Sequence, residues 1–247
     1  MTRNRAVLLF GPAALALQVS DERVAMGVRD HSDFAEDPLR RLRRTLESSY
    51  AAVFAPPAEM RRAVGRVNLL HATVKGPGYA ALDPDLLLWV MATLVMTGIA
   101  AHARFLTPLS DADQAGFYDD MRVSTSRFGL PLKHGPQDWA DFQRYWQDRL
   151  DDPTLGTGDV SRAVARQITR PTRPWFLVPA GPAARLWLAD TLPPPMGDRL
   201  GFPSTRASRA FGASINALAR PLLRHGPRRL RLTQAARAAE TREASNR

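Results

Sequence analysis

The sequence predicts an all-α fold for this chain of 247 residues, and three observations support that prediction. In most segments apolar residues recur every three or four positions, which is the spacing of one face of an α-helix. Proline and glycine pairs, together with residues that cap helices, separate these segments. No segment alternates apolar and polar residues for long enough to indicate a β-sheet. One globular multi-helix domain is expected over residues 1–226, followed by a basic, flexible tail over residues 227–247.

The N-terminal segment contains Arg3 and Arg5, then an apolar run from Ala6 to Val19 with small residues near its end. A secretory signal peptide has the same pattern, so the segment allows two interpretations. We favour a first buried helix, which makes a cytoplasmic location the expectation. If residues 1–20 act as a signal peptide, the protein is instead exported.

Start and stop signals define the next two predicted helices. Asp37-Pro38 begins a helix with an apolar stripe, and Pro56-Pro57 ends it. The following helix is predicted from about Ala58 to Lys75 and stops at Gly76-Pro77-Gly78, because neither proline nor glycine continues a helix well. These two helices carry most of the candidate site residues.

The third predicted helix is the most apolar of the chain. Asp83 serves as its N-cap and Pro84 as its first residue, and it runs to about Phe105. Its uncharged stretch, residues 86–101, has sixteen residues, whereas a membrane span needs about 20. We therefore predict a buried core helix and no transmembrane span. Further helices are predicted from Ser110 to near Arg127, after Gly135-Pro136, from Asp159 to Thr169, near residues 181–191 and near residues 204–224.

Composition limits the chemistry that the chain can perform. Cysteine is absent, which excludes disulfides, thiolate nucleophiles, iron–sulfur clusters on cysteine and thiolate-ligated haem. The formal charge is +10, and residues 224–247 alone hold seven arginines against two glutamates. The remaining charge is diffuse and no nucleic-acid recognition motif is present, so no specific nucleic-acid partner is expected. A non-enzymatic helical nucleic-acid-binding protein is the alternative function.

His71 has the most informative position of the histidines. Together with Met60, Val64, Val67 and Val74 it forms a stripe with spacings of 4, 3, 4 and 3, which places it on the core-facing side of its helix. An inward imidazole can bind a metal or a haem iron through one ring nitrogen and donate a hydrogen bond through the other. A core histidine with satisfied hydrogen bonds is the alternative interpretation.

Two polar clusters precede this helix. Arg41, Arg44 and Thr45 share one helix face, which is either a solvated surface or, if the helix borders a pocket, a binding face for an anionic or oxygen-bearing ligand. Asp30 and His31 lie upstream, where they form either an acid–base pair or a locally capped turn. Residue types and spacing leave both alternatives open for each cluster.

Five stretches in the correct order resemble the blocks of the MpaB/rubber-oxygenase family, also called the DUF2236 domain, which includes the latex clearing proteins. The stretches read ALALQVSDERVAMGVRDHSDFAEDPLRRLRRT, RVNLLHATVKG, YAALDPDLLLWVMATLV, LSDADQAGFYDDMR with FGLP, and TLPPPMGDRLGFP. The likeness covers roughly residues 6–205. The shared order of the five blocks makes the resemblance specific.

The resemblance implies an all-helical domain that encloses one non-covalent haem b. Characterised relatives use dioxygen to cleave or oxidise carbon–carbon double bonds in isoprenoid chains. The family's proximal iron ligand corresponds to His71, in the block that reads HATVKG here. The family's distal arginine and threonine set corresponds to Arg41, Arg44 and Thr45.

Three further correspondences concern the remaining site residues. The family's distal acidic residue corresponds best to Asp30. Met91 stands where relatives commonly carry histidine, so it is either a core residue or an axial thioether ligand of the haem. The connection over residues 75–79 is shorter than is usual in the family. These departures make a degenerate haem-binding family member a second alternative.

The expected reaction follows from these correspondences. His71 would hold the iron on one side and leave the opposite side open for dioxygen. Arg41, with Thr45 as a hydrogen-bond donor, would stabilise the negative charge that develops on oxygen during its reduction. Arg44 would assist or bind a haem propionate, and Asp30 would orient an arginine or remove a proton from the substrate. The expected substrate is a small hydrophobic molecule with a double bond.

Overall fold

The computed structural model describes residues 3–31, 47–170 and 175–245, and most of these residues are helical, which confirms the predicted all-α fold. The helices are α1 (Ala6–Leu9), α2 (Gly11–Gln18), α3 (Glu22–His31), α4 (residues 47–54), α5 (Pro57–Thr73), α6 (Pro84–Phe105), α7 (Asp111–Ser126), α8 (Trp139–Asp151), α9 (Asp159–Ile168), α10 (Gly181–Thr191), α11 (Pro194–Leu200), α12 (Arg206–His225), α13 (Arg228–Arg231) and α14 (Gln234–Ser245). A 3₁₀ helix over Trp175–Ala180 precedes α10. One small antiparallel hairpin pairs β1 (Lys75–Gly76) with β2 (Tyr79–Ala80).

Helix α6 forms the centre of the core, as its composition predicts. The Asp83 carboxylate accepts a hydrogen bond from the backbone N–H of Asp85, so the cap and the proline start act as expected. Helices α1, α2, α7 and α12 pack against α6. It is the one helix of the described chain that is long and apolar enough to cross a membrane, and most of it is buried inside the fold. Its apolar surface is therefore used for packing.

Trp89 joins three helices at this core. Its ring stacks on Trp146 of α8 with 5.5 Å between the centroids. Its indole N–H donates to the carbonyl of Leu17 in α2 at 3.0 Å, so the single polar atom of the buried side chain is satisfied. The Arg149 guanidinium lies 4.9 Å from the Trp89 ring centroid, within the range of a cation–π contact.

The apolar N-terminal run forms α1 and α2, as the buried-helix interpretation predicts. Ala13, Ala16 and Leu17 lie in the core with almost no exposed surface. Two short helices replace the single predicted helix because Gly11 and Pro12 begin a new first turn.

The side chain of Glu22 in α3 caps the N-terminus of α9. The Glu22 carboxylate accepts from the backbone N–H groups of Val160 and Ser161, each at 3.0 Å, and from the Ser161 hydroxyl at 2.6 Å. Gly158, the N-cap residue of α9, has no Cβ that would occupy the place of this carboxylate. Burial raises the pKa of Glu22, but the three hydrogen bonds outweigh burial and hold its pKa below the usual value.

The predicted end of the helix before Gly76 is wrong by two residues. Helix α5 ends at Thr73, and Val74 leaves the helical region to accept a hydrogen bond from the backbone N–H of Ala81 at 2.9 Å. The β-hairpin follows at once, with Gly78 at a positive φ of 80° in its turn. Each strand has two residues, too few for a visible alternation of polar and apolar side chains.

The C-terminal segment, for which the composition predicts a flexible tail, contains two helices. Residues 228–231 and 234–245 form α13 and α14. The Arg5 N–H donates to the carbonyl of Arg231 at 2.8 Å, and the Thr233 N–H donates to the carbonyl of Arg3 at 2.9 Å. Ala236 is buried in the fold. The segment is therefore tied to the N-terminus by backbone hydrogen bonds, a long-range contact that local composition does not encode.

Candidate active site

Helix α5 presents the histidine stripe on its less exposed side. Val64 is buried, and Met60, Val67 and His71 are half-buried. The predicted inward orientation of the stripe is therefore confirmed, although its burial is partial. The adjoining face is apolar and open, because Leu69 and Leu70 are 72% and 52% exposed. Helix α5 therefore offers apolar surface to a ligand beside His71, through the exposed Leu69 and Leu70.

The His71 imidazole is neutral at pH 7 and incompletely bonded. Burial lowers the pKa of His71, because the low-dielectric surroundings disfavour the charged ring. Its Nδ1 atom is inaccessible to solvent and has no hydrogen-bond partner among the described residues. A buried polar atom without a partner costs roughly 1–3 kcal/mol. A neutral, inward imidazole with an unpaired ring nitrogen has the chemistry of an axial haem ligand, so the residues present fit the group that the family resemblance implies.

The hairpin after α5 meets the C-terminal end of α3. Position 27 of α3 faces both Val74 and Tyr79: a Cβ built on Gly27 would lie 3.5 Å from the Val74 side chain and 3.6 Å from the Tyr79 ring. The Tyr79 hydroxyl donates to Asp30 at 2.8 Å. The structure therefore brings Asp30 to the segment that directly follows His71, as the candidate site requires.

The carboxylate of Asp30 is fully engaged. Arg29 donates to it from Nε at 2.6 Å and from Nη2 at 3.1 Å, in addition to the bond from Tyr79. The pKa of Asp30 is lowered to about 2. The hydrogen bonds from the Arg29 guanidinium contribute most to this shift, and the bond from the Tyr79 hydroxyl contributes next. A carboxylate that stays ionised to such low pH is a weak proton acceptor at neutral pH. Its geometry is better suited to orienting donors than to removing a proton from a substrate.

Tyr79 is the site residue that sequence reasoning missed. Its side chain is buried, and its hydroxyl also lies 3.2 Å from Nε2 of His31. A side chain on Gly76 would collide with the Tyr79 ring, so glycine at that position makes room for the aromatic side chain. One signal in the sequence could have pointed to Tyr79. It is an aromatic residue directly after Gly-Pro-Gly, and glycines 27 and 76 face its ring.

The other predicted site residues divide into two groups. Met91 is 1% exposed and lies in the hydrophobic core of α6, which is its predicted packing position. Its role as a haem ligand stays a prediction. Arg41, Arg44 and Thr45 lie outside the described residues, so their roles stay predictions as well.

Among the described residues, no group of three or more histidine, aspartate or glutamate side chains is arranged to hold a metal ion. A b-type haem does not require such a group, because the porphyrin supplies four nitrogen ligands and the protein supplies one or two axial ligands.

Replacing Tyr79 by phenylalanine is expected to raise the pKa of Asp30 from about 2 towards the ordinary aspartate value. The change removes one hydrogen bond to the ionised carboxylate and leaves Arg29 in place, so the pKa stays below that of a free aspartate. Carboxyl ¹³C NMR across an acid titration measures this pKa. Tyr50→Phe is the matched control, because the buried Tyr50 hydroxyl has no partner among the described residues. An unchanged Asp30 pKa in Tyr79→Phe would contradict the assignment.

Comparison with known proteins adds a family and two relatives. The profile of the family described as "ER-bound oxygenase mpaB/B'/Rubber oxygenase, catalytic domain" matches residues 1–224. The uncharacterized proteins Mb2261 of Mycobacterium bovis and Rv2237 of Mycobacterium tuberculosis are each 30% identical over 155 residues. That alignment covers 58% of this chain and 60% of each relative, so the chain spans about three-fifths of the length of these relatives. No solved structure matches the chain significantly.

Proposed function

The chain belongs to the family of MpaB and rubber-oxygenase catalytic domains, and from this premise we propose that it is a haem b-dependent oxygenase. Its proposed substrates are dioxygen and a small hydrophobic molecule with a double bond, of which isoprenoid chains are one class. The observation that carries the proposal is the half-buried, neutral His71 with its unpaired Nδ1 atom. When bound, haem supplies the one-electron chemistry that reactions with dioxygen require.

The roles of the protein side chains follow from their chemistry. His71 would hold the iron, because its neutral ring has a lone pair available for that bond. Arg41 would supply a fixed positive charge for the oxygen chemistry that haem supports, and Thr45 would supply a hydrogen-bond donor. Arg44 would assist or bind a propionate. Asp30 keeps its negative charge at neutral pH and orients cationic donors.

Apolar surface beside His71 supports a hydrophobic substrate. Leu69 and Leu70 immediately precede the histidine and are largely exposed. A substrate or porphyrin that covers such surface gains roughly 25 cal/mol for each Å² removed from water. Exclusion of water also strengthens the electrostatic contacts of nearby polar groups.

The first test of this function is the absorption spectrum of the full chain expressed with iron and a haem precursor. A strong Soret band is expected. A colourless protein that also fails to take up added haem would contradict the proposed cofactor.

Replacing Arg41 by alanine is expected to leave the Soret band intact and to abolish oxygen-dependent turnover of an apolar alkene. Loss of one donor that stabilises developing negative charge typically slows an enzyme by about 10²–10³-fold. Arg43→Ala is the matched control, because the helix predicted from the sequence would place Arg43 off the face shared by Arg41, Arg44 and Thr45. Oxygen consumption measures the rate. Equal rates for Arg41→Ala and the wild type would remove Arg41 from the mechanism.

A haem-binding relative without oxygenase activity is the second candidate function. The specific observation that favours it is Met91, because the family commonly has histidine there and this methionine is buried in the core. Haem binding without oxygen consumption on any apolar alkene would favour this candidate over the oxygenase.

A further inference from the structure

A cleft among the described residues is lined by none of the described candidate-site residues. It is bordered by α9, by the first turn of α10 and by the C-terminal end of α11, and its volume is about 1060 Å³. None of Asp30, His71 and Tyr79 is among its lining residues. Ligand sites in proteins commonly occupy clefts of roughly 300–1,000 Å³, so the volume is sufficient for a small organic molecule.

Positive charge dominates the lining of this cleft. Five arginines line it against a single acidic residue, Asp198. The five arginines are Arg162, Arg166, Arg170, Arg185 and Arg199. Within the described part of the chain, none of the five forms an ion pair with a carboxylate, whereas arginines 23, 104 and 149 all do. The cleft therefore holds positive charge that the protein itself does not neutralise.

Three of the arginines are held in place by backbone carbonyl groups. Arg162 donates from Nε to the carbonyl of Arg199 at 2.9 Å. Arg199 donates from Nη1 to the carbonyls of residues 150 and 152 at 3.0 and 2.7 Å. Arg185 donates to the carbonyl of Gly201 at 2.7 Å. A carbonyl orients a guanidinium without cancelling its charge, so these cations are fixed before any ligand arrives.

The other two arginines have no structural partner. In the described residues, neither Arg166 nor Arg170 forms a hydrogen bond or an ion pair through its side chain, and both are exposed. Arg162 and Arg166 lie four residues apart on α9, the spacing of neighbours on one helix face, and Arg170 follows shortly after the end of this helix. Like charges at this spacing repel, so an anion that bridges them would relieve an unfavourable interaction.

We propose that this cleft binds a ligand that carries phosphoryl groups. Arginines from α9, α10 and α11 line it, and a tetrahedral phosphoryl group can accept hydrogen bonds from several directions at once. A single planar carboxylate offers one charge and fewer directions of approach. The apolar residues Val178, Pro182 and Leu200 also line the cleft and provide surface for the organic part of such a ligand. This inference does not depend on the haem or on the oxygenase function.

The experiment uses the full chain in low-salt buffer, where screening of charges is weak. Inorganic pyrophosphate is titrated calorimetrically as the soluble probe, and vesicles of phosphatidylcholine with and without phosphatidic acid are the lipid probe. Arg166→Gln/Arg170→Gln removes two cleft charges without breaking a hydrogen bond. Arg220→Gln/Arg229→Gln is the matched control, because it removes the same charge at exposed positions outside the cleft.

Binding of pyrophosphate, or of vesicles only when they contain phosphatidic acid, is expected for the wild type and the control. The cleft variant is expected to bind about tenfold more weakly or worse, which corresponds to about 1.4 kcal/mol. The probe that binds identifies the source of the phosphoryl group. Binding of neither probe, or an equal loss in the control, would overturn the proposal.

Discussion

His71→Ala is expected to abolish the Soret band of the haem-loaded protein. The substitution removes the neutral imidazole that carries the proposed bond to iron, and alanine has no atom that can replace it. The variant should remain helical by far-ultraviolet circular dichroism, because His71 is half-buried and its Nδ1 atom bonds to none of the described residues. Removal of an unpaired buried nitrogen costs the folded state little.

Two controls make this result specific. His225→Ala removes an exposed histidine at the end of α12 and should keep the full Soret band. Imidazole added to His71→Ala should restore part of the band, because the free base can occupy the space that the side chain has left. A variant that retains the full band without added imidazole would show that another residue holds the haem.

Trp89→Ala is expected to destabilise the protein by about 3–5 kcal/mol, the usual cost of truncating a buried tryptophan. The change opens a cavity between α2, α6 and α8, and it removes the indole hydrogen bond to the carbonyl of Leu17, to which Ser20 still donates. For a chain of this size, that loss lowers Tm by roughly 6–20 °C. Calorimetry or thermal circular dichroism measures the shift.

Leu94→Ala on the same helix is the matched control. Leu94 is 42% exposed, so its truncation opens no closed cavity and should cost far less. Equal shifts in Tm for the two variants would contradict the central role of Trp89 in the core.

Local signals predicted the helices well where each signal acts through neighbouring residues. Asp83 and Pro84 fixed the start of α6, and Ser110 fixed the start of α7, because a cap forms within one turn. The connection over residues 152–158, which ends at Gly158, shows the limit of such signals. The cap of α9 comes from Glu22, more than one hundred residues away in sequence, and no local pattern points to it.

The candidate site was only partly predictable for the same reason. Periodicity gave the inward direction of His71 because the residues of one helix face determine it. Tyr79 was not identified, since its importance depends on how α3 and the hairpin pack against each other. The arginine cleft was also not identified, because its lining residues come from segments that are separate in sequence.

The joined ends of the chain have a practical consequence for truncation. The family match stops at residue 224, but the backbone bonds of the N-terminal segment extend to Arg231 and Thr233. A protein trimmed at the limit of the match would return the amide of Arg5 and the carbonyl of Arg3 to water. We therefore expect a protein that ends at residue 224 to be less stable than the full chain.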